Sequence, residues 1–233
     1  ERDQTGTANH PGYNAMLSWN FDISKAHKLQ ASAQYFDFGF NNDNFYIQTE
    51  NGTGTTQEQL SDNNDRFVQL KADYEWHPTK DSRLEAGWQT DLAWRQTQAS
   101  AYNGSAREDT LWSYYNNFHN NEQTHALYIT YGNRFWDKLS LQVGLRGEYF
   151  MRHIETQYYY ESALQTSAQD TAYFQLFPSA YISYDFGNGH ELQLNYTRRV
   201  DRPRGHTINP RMDFSDSTNI QFGNPALLPS YSS

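Results

Sequence analysis

Aromatic side chains stand within two long polar stretches of the sequence, 97–122 and 152–172. A ring carried by a polar segment can stack on a sugar or on the surface of a partner protein. The same rings can instead pack against one another where neighbouring loops meet, and both interpretations remain open. We predict that five of these residues bind ligand. They are Trp112, Tyr114, Tyr115, Tyr158 and Tyr159.

The usual signatures of catalysis and metal binding are missing from the sequence. It contains no G-x-S-x-G turn, no phosphate-binding loop and no H-E-x-x-H pair. There is no cysteine, and the eight histidines are dispersed without the spacing of metal ligands. The Asn- and Asp-rich runs at 41–44 and 61–65 could offer oxygen ligands to calcium, but their spacing fits no EF-hand and is typical of solvated turns. We therefore predict no enzymatic activity, no metal site and no cofactor.

Composition narrows the class of protein. The 233 residues are 16% aromatic but only 36% hydrophobic, and the net charge is −9. Disordered chains are poor in aromatic residues, so disorder is excluded. No apolar run approaches the roughly 18 residues that a spanning helix needs. Lys and Arg form no basic run, which argues against binding to nucleic acid.

Apolar and polar residues alternate with a period of two along most of the chain, the pattern of half-buried strands. This pattern predicts an all-β protein in which eight strands form an antiparallel meander, each pairing with the next, with almost no helix. The predicted strands are 13–22, 28–38, 66–76, 83–96, 123–133, 138–150, 174–186 and 190–200.

The connections between these strands alternate in length. Short turns follow the first, third, fifth and seventh strands, whereas the polar stretches 41–65, 97–122 and 152–172 and the residues after 200 form long connections. Transmembrane β-barrels have this arrangement, with short periplasmic turns and long extracellular loops. Strands of about 9–11 residues also match the tilted span of a bilayer.

The two faces of each strand fit the same interpretation, because the lipid face of such a barrel is apolar and its lumen is polar. A soluble antiparallel sheet with one solvated face, serving as a carbohydrate- or protein-binding module, is the alternative. We expect Leu84, Trp88, Leu141, Val143, Ile182 and Leu194 to face lipid. We expect Glu85, Asp91, Gln142, Arg146 and Glu148 to face the lumen.

Motifs in the second half of the chain resemble those of a known family. Arg199-Val200-Asp201-Arg202-Pro203 is followed by Ile208-Asn209-Pro210, Asp216, Asn219 and Gly223-Asn224-Pro225-Ala226-Leu227-Leu228-Pro229. Earlier come Gly144-Leu145-Arg146-Gly147-Glu148-Tyr149 and Phe177-Pro178-Ser179. In this order the motifs resemble TonB-dependent outer-membrane receptors, in particular the outer-membrane β-barrel family of Bacteroidetes to which SusC-like transporters are related. A Glu often follows the last Pro in that family, and Ser230 stands there in this sequence.

The resemblance implies a 22-stranded barrel filled by a plug domain, located in the outer membrane of a Gram-negative bacterium. It implies energised uptake of a large nutrient such as an iron chelate, cobalamin or a glycan. Its partners would be outer-membrane lipid, its own plug domain and the TonB complex, and it leaves open a surface lipoprotein. Both ends of the chain are expected on the long-loop side, so residues 1–233 are expected to be one interior region of the barrel without the plug.

Overall fold

A computed structural model describes residues 2–50, 53–103, 109–110, 115–160, 163–210, 212–213 and 221–233. The described part is almost entirely β-structure, and the only helical element in it is a three-residue 3-10 turn at Gly205–Thr207. No helix in these ranges has the length and apolar character needed to cross a membrane. The strands are β1 Arg2–Asn9, β2 Gly12–Ser24, β3 His27–Glu50, β4 Thr53–Thr79, β5 Ser82–Asn103, β6 Asp109–Thr110, β7 Asn116–Phe135, β8 Leu139–Tyr160, β9 Ala163–Gly187, β10 His190–Thr197, β11 Arg199–Asp201, β12 Met212–Asp213, β13 Gln221–Phe222 and β14 Ser230–Ser232.

One antiparallel sheet contains ten of these strands, in the order β1-β3-β4-β5-β7-β8-β9-β10, with β2 beside β3 and β6 beside β5. The predicted antiparallel meander is therefore confirmed. β1 and β2 form the same edge of the sheet. β2 pairs with residues 27–38 of β3, and β1 pairs with residues 41–48 of β3. Pro11, which has no amide hydrogen to donate, lies at the break, and its carbonyl oxygen accepts a hydrogen bond from the Gly39 amide at 2.7 Å.

The strands extend far beyond the segments that alternate in hydropathy. β3 contains 24 residues, β4 27 and β9 25, compared with the roughly 9–11 that cross a bilayer. Most of 41–65 and 152–172, expected as long loops, is consequently strand: β3 continues to Glu50 before β4 begins at Thr53, and β8 continues to Tyr160 before β9 begins at Ala163. Backbone pairing needs no apolar side chain, so tall polar hairpins form this end of the sheet.

Tight turns close the opposite end of the sheet. The turn between β9 and β10 is Gly187-Asn188-Gly189, whose φ angles are 79°, 53° and 82°. Glycine adopts this left-handed region without steric cost, and asparagine tolerates it better than most residues. The predicted short turn at this point is therefore confirmed, with a conformation that explains its composition.

Continuous strand register divides the side chains between two faces. On the outward face Val143, Ile182 and Leu194 are 44%, 40% and 61% exposed, although all three are large and apolar. The inward face carries the buried Glu148 and Arg152 together with a small apolar core. That core consists of Phe118 on β7, Ile154 on β8 and Ile208 from the segment after β11.

Candidate functional site

The segment 202–210 leaves the sheet and lies against its inward face. β10 pairs with β9 as far as Thr197, and β11 then pairs with β14 rather than with β9. Pro203, which cannot extend a strand ladder, follows directly. Ile208, with no exposed surface, packs on Phe118 and Ile154 of the sheet. This long connection is therefore anchored to the wall by apolar packing on the inner side of the sheet.

Glu148 on β8 forms the centre of the first polar anchor. It is 8% exposed, and its two carboxylate oxygens accept hydrogen bonds from Arg146 Nε at 2.7 Å and Arg202 Nη2 at 2.6 Å. Arg202 also donates from Nε to the Tyr173 hydroxyl at 3.0 Å, and its guanidinium lies 4.7 Å from the centre of the Phe150 ring. A planar guanidinium suits this combination of a carboxylate and aromatic faces.

A second anchor lies one step higher on the same wall. Glu122 on β7 pairs with Arg95 on β5 at 3.0 Å and with Arg152 on β8 at 2.8 Å. Arg152 is 6% exposed and also donates a hydrogen bond to the Pro203 carbonyl oxygen at 2.6 Å. Each buried charge is thus paired, as burial requires, and the pairs fix the backbone of the inward segment.

Tyr128 and its neighbours continue the polar wall toward the short turns. The hydroxyl of Tyr128 on β7 donates to Asp73 on β4, and the Arg146 guanidinium lies 5.3 Å from the centre of the Tyr128 ring. Gln69 donates to Asp91 across β4 and β5 at 2.8 Å. Within the described ranges there is no group of three His, Cys, Asp or Glu residues placed to hold a metal ion. The wall is therefore a hydrogen-bonded surface that can hold a chain segment and face water.

A cavity of about 770 Å³ lies among the tall hairpins. Amide and hydroxyl side chains dominate the described lining, which draws on β1, β3, β4, β5 and the start of β7. By strand alternation Asn41, Asp62 and Gln98 share the face of the apolar residues lower in their strands. The cavity therefore lies mainly on the outward face of the hairpins, beyond the outward apolar residues of the strands. It does not lie on the inward face.

The five predicted ligand-binding residues have different positions. Trp112 and Tyr114 lie outside the described residues. Tyr115, just before β7, lines the cavity, and its hydroxyl is 3.5 Å from the side-chain oxygen of Gln157. Tyr158 and Tyr159 are both half-buried near the end of β8, and as consecutive strand residues they point to opposite faces. The structure thus brings Tyr115 to a cavity, and ligand binding by these residues stays a prediction.

The sequence reasoning missed the contact between Glu148 and Arg202. The two residues are 54 positions apart in the chain. Both belong to the motifs on which the family resemblance rests, Gly144–Tyr149 and Arg199–Pro203. The sequence therefore contained one indication of the contact: each motif carries a charged residue, and the two charges are opposite in sign.

Comparison with known proteins gives the same fold. The sequence profile of the outer membrane protein beta-barrel family matches residues 19–233. A search of curated proteins found no match. Two crystal structures are similar in fold: the ferric yersiniabactin uptake receptor FyuA from Yersinia pestis, with 9% identity and a TM-score of 0.50, and the siderophore receptor PiuA from Acinetobacter baumannii, with 12% identity and a TM-score of 0.55.

The two alignments cover 75% and 83% of this chain but only 28% and 32% of those receptors, so the chain spans about a third or less of their length. The profile match, in contrast, covers nearly the whole chain. The antiparallel meander, the exposed apolar face and the polar inward face all agree with that match. The chain belongs to the outer membrane protein beta-barrel family.

Proposed function

We propose that the chain is one region of the barrel of a TonB-dependent outer-membrane receptor that takes up a large nutrient with energy supplied by the TonB complex. The observation that carries this proposal is the hydrogen bond from Arg202 to Glu148 at 2.6 Å. It joins the two motif stretches through which the sequence resembles these receptors, and it anchors a long connection on the lumen side of the wall. A connection held against the inward face narrows the lumen, as expected for a receptor that admits one nutrient and excludes other solutes.

The proposal assigns the rest of the receptor to other parts of a longer protein. Residues 1–233 supply about eight strands of the barrel, and the remaining strands and the plug domain lie elsewhere in the full-length receptor. The inward polar wall around Glu148 and Glu122 would then face the plug and water. The partners are outer-membrane lipid, the plug, the TonB complex and, in the SusC-related branch of Bacteroidetes that the motifs resemble, a surface lipoprotein.

The family resemblance and the similar crystal structures suggest three candidate classes of nutrient. The two similar crystal structures are a ferric yersiniabactin uptake receptor and a siderophore receptor, which supports an iron chelate as one candidate. Cobalamin and glycans remain the other candidates. We further propose that the chain has no enzymatic activity. Membership in an outer-membrane family argues against the alternative of a soluble binding module.

Uptake by the full-length receptor in its own bacterium tests the proposal. Growth would be measured with an iron chelate, cobalamin or a glycan as the limiting nutrient, in cells with the receptor gene intact or deleted. We expect the deletion to abolish growth on one of these nutrients. Short-term uptake of that nutrient in labelled form should be lost equally when TonB is removed or a protonophore is added. Uptake that persists without TonB and without a proton gradient would instead indicate a passive porin and refute the proposal.

A further inference from the structure

An apolar groove of about 600 Å³ crosses the outward face of β5, β7, β8 and β9. Its volume falls in the range of about 300–1,000 Å³ that is common for small-molecule sites. Most of its lining belongs to the outward, lipid-facing side of the strands. The main lining side chains are Trp88, Leu127, Leu145, Tyr149, Phe174 and Leu176. The groove is therefore a depression in a surface that lipid already covers.

Gly147 lies beneath one side of the groove. It lies on β8 between Leu127 of β7 and Leu176 of β9 in the register of the sheet, where a residue with a side chain would continue the apolar surface. A Cβ atom built on Gly147 would lie 3.0 Å from Phe174 Cζ and 3.5 Å from Leu176 Cδ2. The Phe174 ring thus leans over the bare backbone of Gly147. Because the ring is 60% exposed, it also forms a rim of the groove that stands out from the wall.

A polar pair marks one end of the groove. His125 on β7 lines it, and its Nδ1 lies 2.9 Å from the Thr90 hydroxyl on β5. Within the described part of the chain, His125 Nε2 has no hydrogen-bond partner. Thr90 is 5% exposed, so the pair is partly withdrawn from the surface. The groove accordingly has one polar end and an apolar body.

The polar end lies at the upper edge of the apolar band. His125 is ten residues above Phe135, which ends β7 at the short-turn side. At a tilt near 45° this corresponds to about 23 Å, compared with an apolar band of about 25 Å. The exposed Trp136, 82% accessible in the adjoining turn, marks the lower boundary. Because tall hairpins point outside and short turns face the periplasm, His125 lies at the headgroup level of the outer leaflet.

We propose that this groove is a specific binding site for one acyl chain of a phosphorylated outer-leaflet lipid, with the lipid phosphate at His125 Nε2. The occupant is an amphiphile because the polar atoms lie at one end only, and it is a membrane lipid because the groove is continuous with the lipid-covered wall. A bound chain lies along the groove between Trp88 on β5 and Phe174 on β9. This site depends on the outer-membrane location and not on the transported nutrient.

Photo-crosslinking of the full-length receptor tests the site, in nanodiscs of diacylglyceryl-trimethylhomoserine, a lipid that contains no phosphate. The probe is a trace of phosphatidylglycerol with a diazirine in one acyl chain, and crosslinked peptides are identified by mass spectrometry. We expect labelling at Leu127 and Leu176 to exceed labelling at Leu17, outside the groove, by about fivefold or more, because the site binds the phosphorylated probe in preference to the phosphate-free host lipid. Gly147→Leu would push the Phe174 ring aside and obstruct the groove. Labelling inside the groove should then fall to the level at Leu17.

Ala180→Leu adds bulk on the same outward face of β9 outside the groove and should leave the fivefold difference intact. Ala86→Leu fills the groove from β5 and should act as Gly147→Leu does, which covers the case in which the glycine variant fails to fold. Folding is followed by the shift in electrophoretic mobility on heating. Equal labelling at all outward positions of the wild type would overturn the proposal. So would an undiminished difference in folded Gly147→Leu or Ala86→Leu.

Discussion

The ring of Tyr128 on β7 covers the backbone of Gly87 on β5, and its hydroxyl reaches past that strand to Asp73 on β4. Gly87 lies between the two partners in the register of the sheet, opposite Asp73 on one side and Tyr128 on the other. Because Gly87 has no side chain, the Tyr128 ring can lie against its backbone and place the hydroxyl at Asp73. The relationship joins a glycine, a tyrosine and an acid on the inward wall.

Gly87→Ala should destabilise the barrel, because a Cβ atom there would come within about 2.5 Å of the Tyr128 ring. We expect a loss of about 1–3 kcal/mol in the free energy of unfolding, the usual cost of overpacking, measured by denaturant titration of the full-length receptor in vesicles. Gly132→Ala is the control, since its Cβ would meet nothing closer than 3.8 Å. In a Tyr128→Ala background the cost of Gly87→Ala should largely disappear, and an unchanged cost would contradict this account.

Charge on the outward face should cost more at greater depth. Val143, 44% exposed on β8, lies four residues above Leu139, where the strand begins. We expect Val143→Arg to cost about 2–4 kcal/mol and Leu141→Arg, nearer the turn, to cost less, because the penalty falls to about 0–1 kcal/mol at the interface. Gln142→Arg, which faces the lumen, is the control and should be nearly neutral. Equal costs at 142 and 143 would argue against a membrane wall.

Removal of the Arg202 side chain should release the inward segment. Arg202→Ala eliminates the hydrogen bonds to Glu148 and Tyr173, although Glu148 keeps Arg146. We expect a loss of about 1.5–3 kcal/mol, as for a hydrogen bond to a charged group, and faster protease cleavage between 202 and 213. Strand content in circular dichroism should stay the same.

Arg199→Ala provides a matched control for this experiment. Arg199 is exposed, and in the described ranges its side chain forms no ion pair. Its replacement should leave the cleavage rate unchanged. If Arg199→Ala and Arg202→Ala expose the segment equally, the anchor on Glu148 does not hold it.

His153 should titrate above the usual range. It lies on β8 beyond the apolar band, with Nδ1 2.6 Å from Asp170 and Nε2 3.1 Å from Glu155. The hydrogen bond to Asp170 and then the one to Glu155 raise the pKa of the His153 imidazole above 6.5. The folded-state pKa is the higher one, so the stabilisation is complete below the unfolded pKa near 6.5 and is lost as the pH rises through the folded value.

Both partners of His153 are well exposed, so solvent screens the pair and its effect on unfolding is small. The test is therefore a direct titration of labelled histidine by nuclear magnetic resonance. Asp170→Asn should lower the pKa of His153 more than Glu155→Gln does, because the contact with Asp170 is the larger cause. A pKa that neither substitution moves would show that the contacts do not persist in solution.

The sequence by itself determined the membrane-crossing part of the sheet. Alternation with a period of two is a local property, and a slip of one residue would reverse both faces. Val143 and Gln142 could therefore be assigned to opposite faces before any pairing was known. The predicted neighbours also follow from the sequence, because short turns force consecutive strands to pair.

Only the tertiary structure decided how far the strands extend and where the last long connection lies. Above the membrane the side chains are polar on both faces, so hydropathy carries no signal, and backbone pairing alone extends β3 and β4. The contact of Glu148 with Arg202 and the cover of Gly87 by Tyr128 join residues 54 and 41 positions apart in the chain. Such contacts depend on the register of several strands together, and no local pattern in the sequence specifies them.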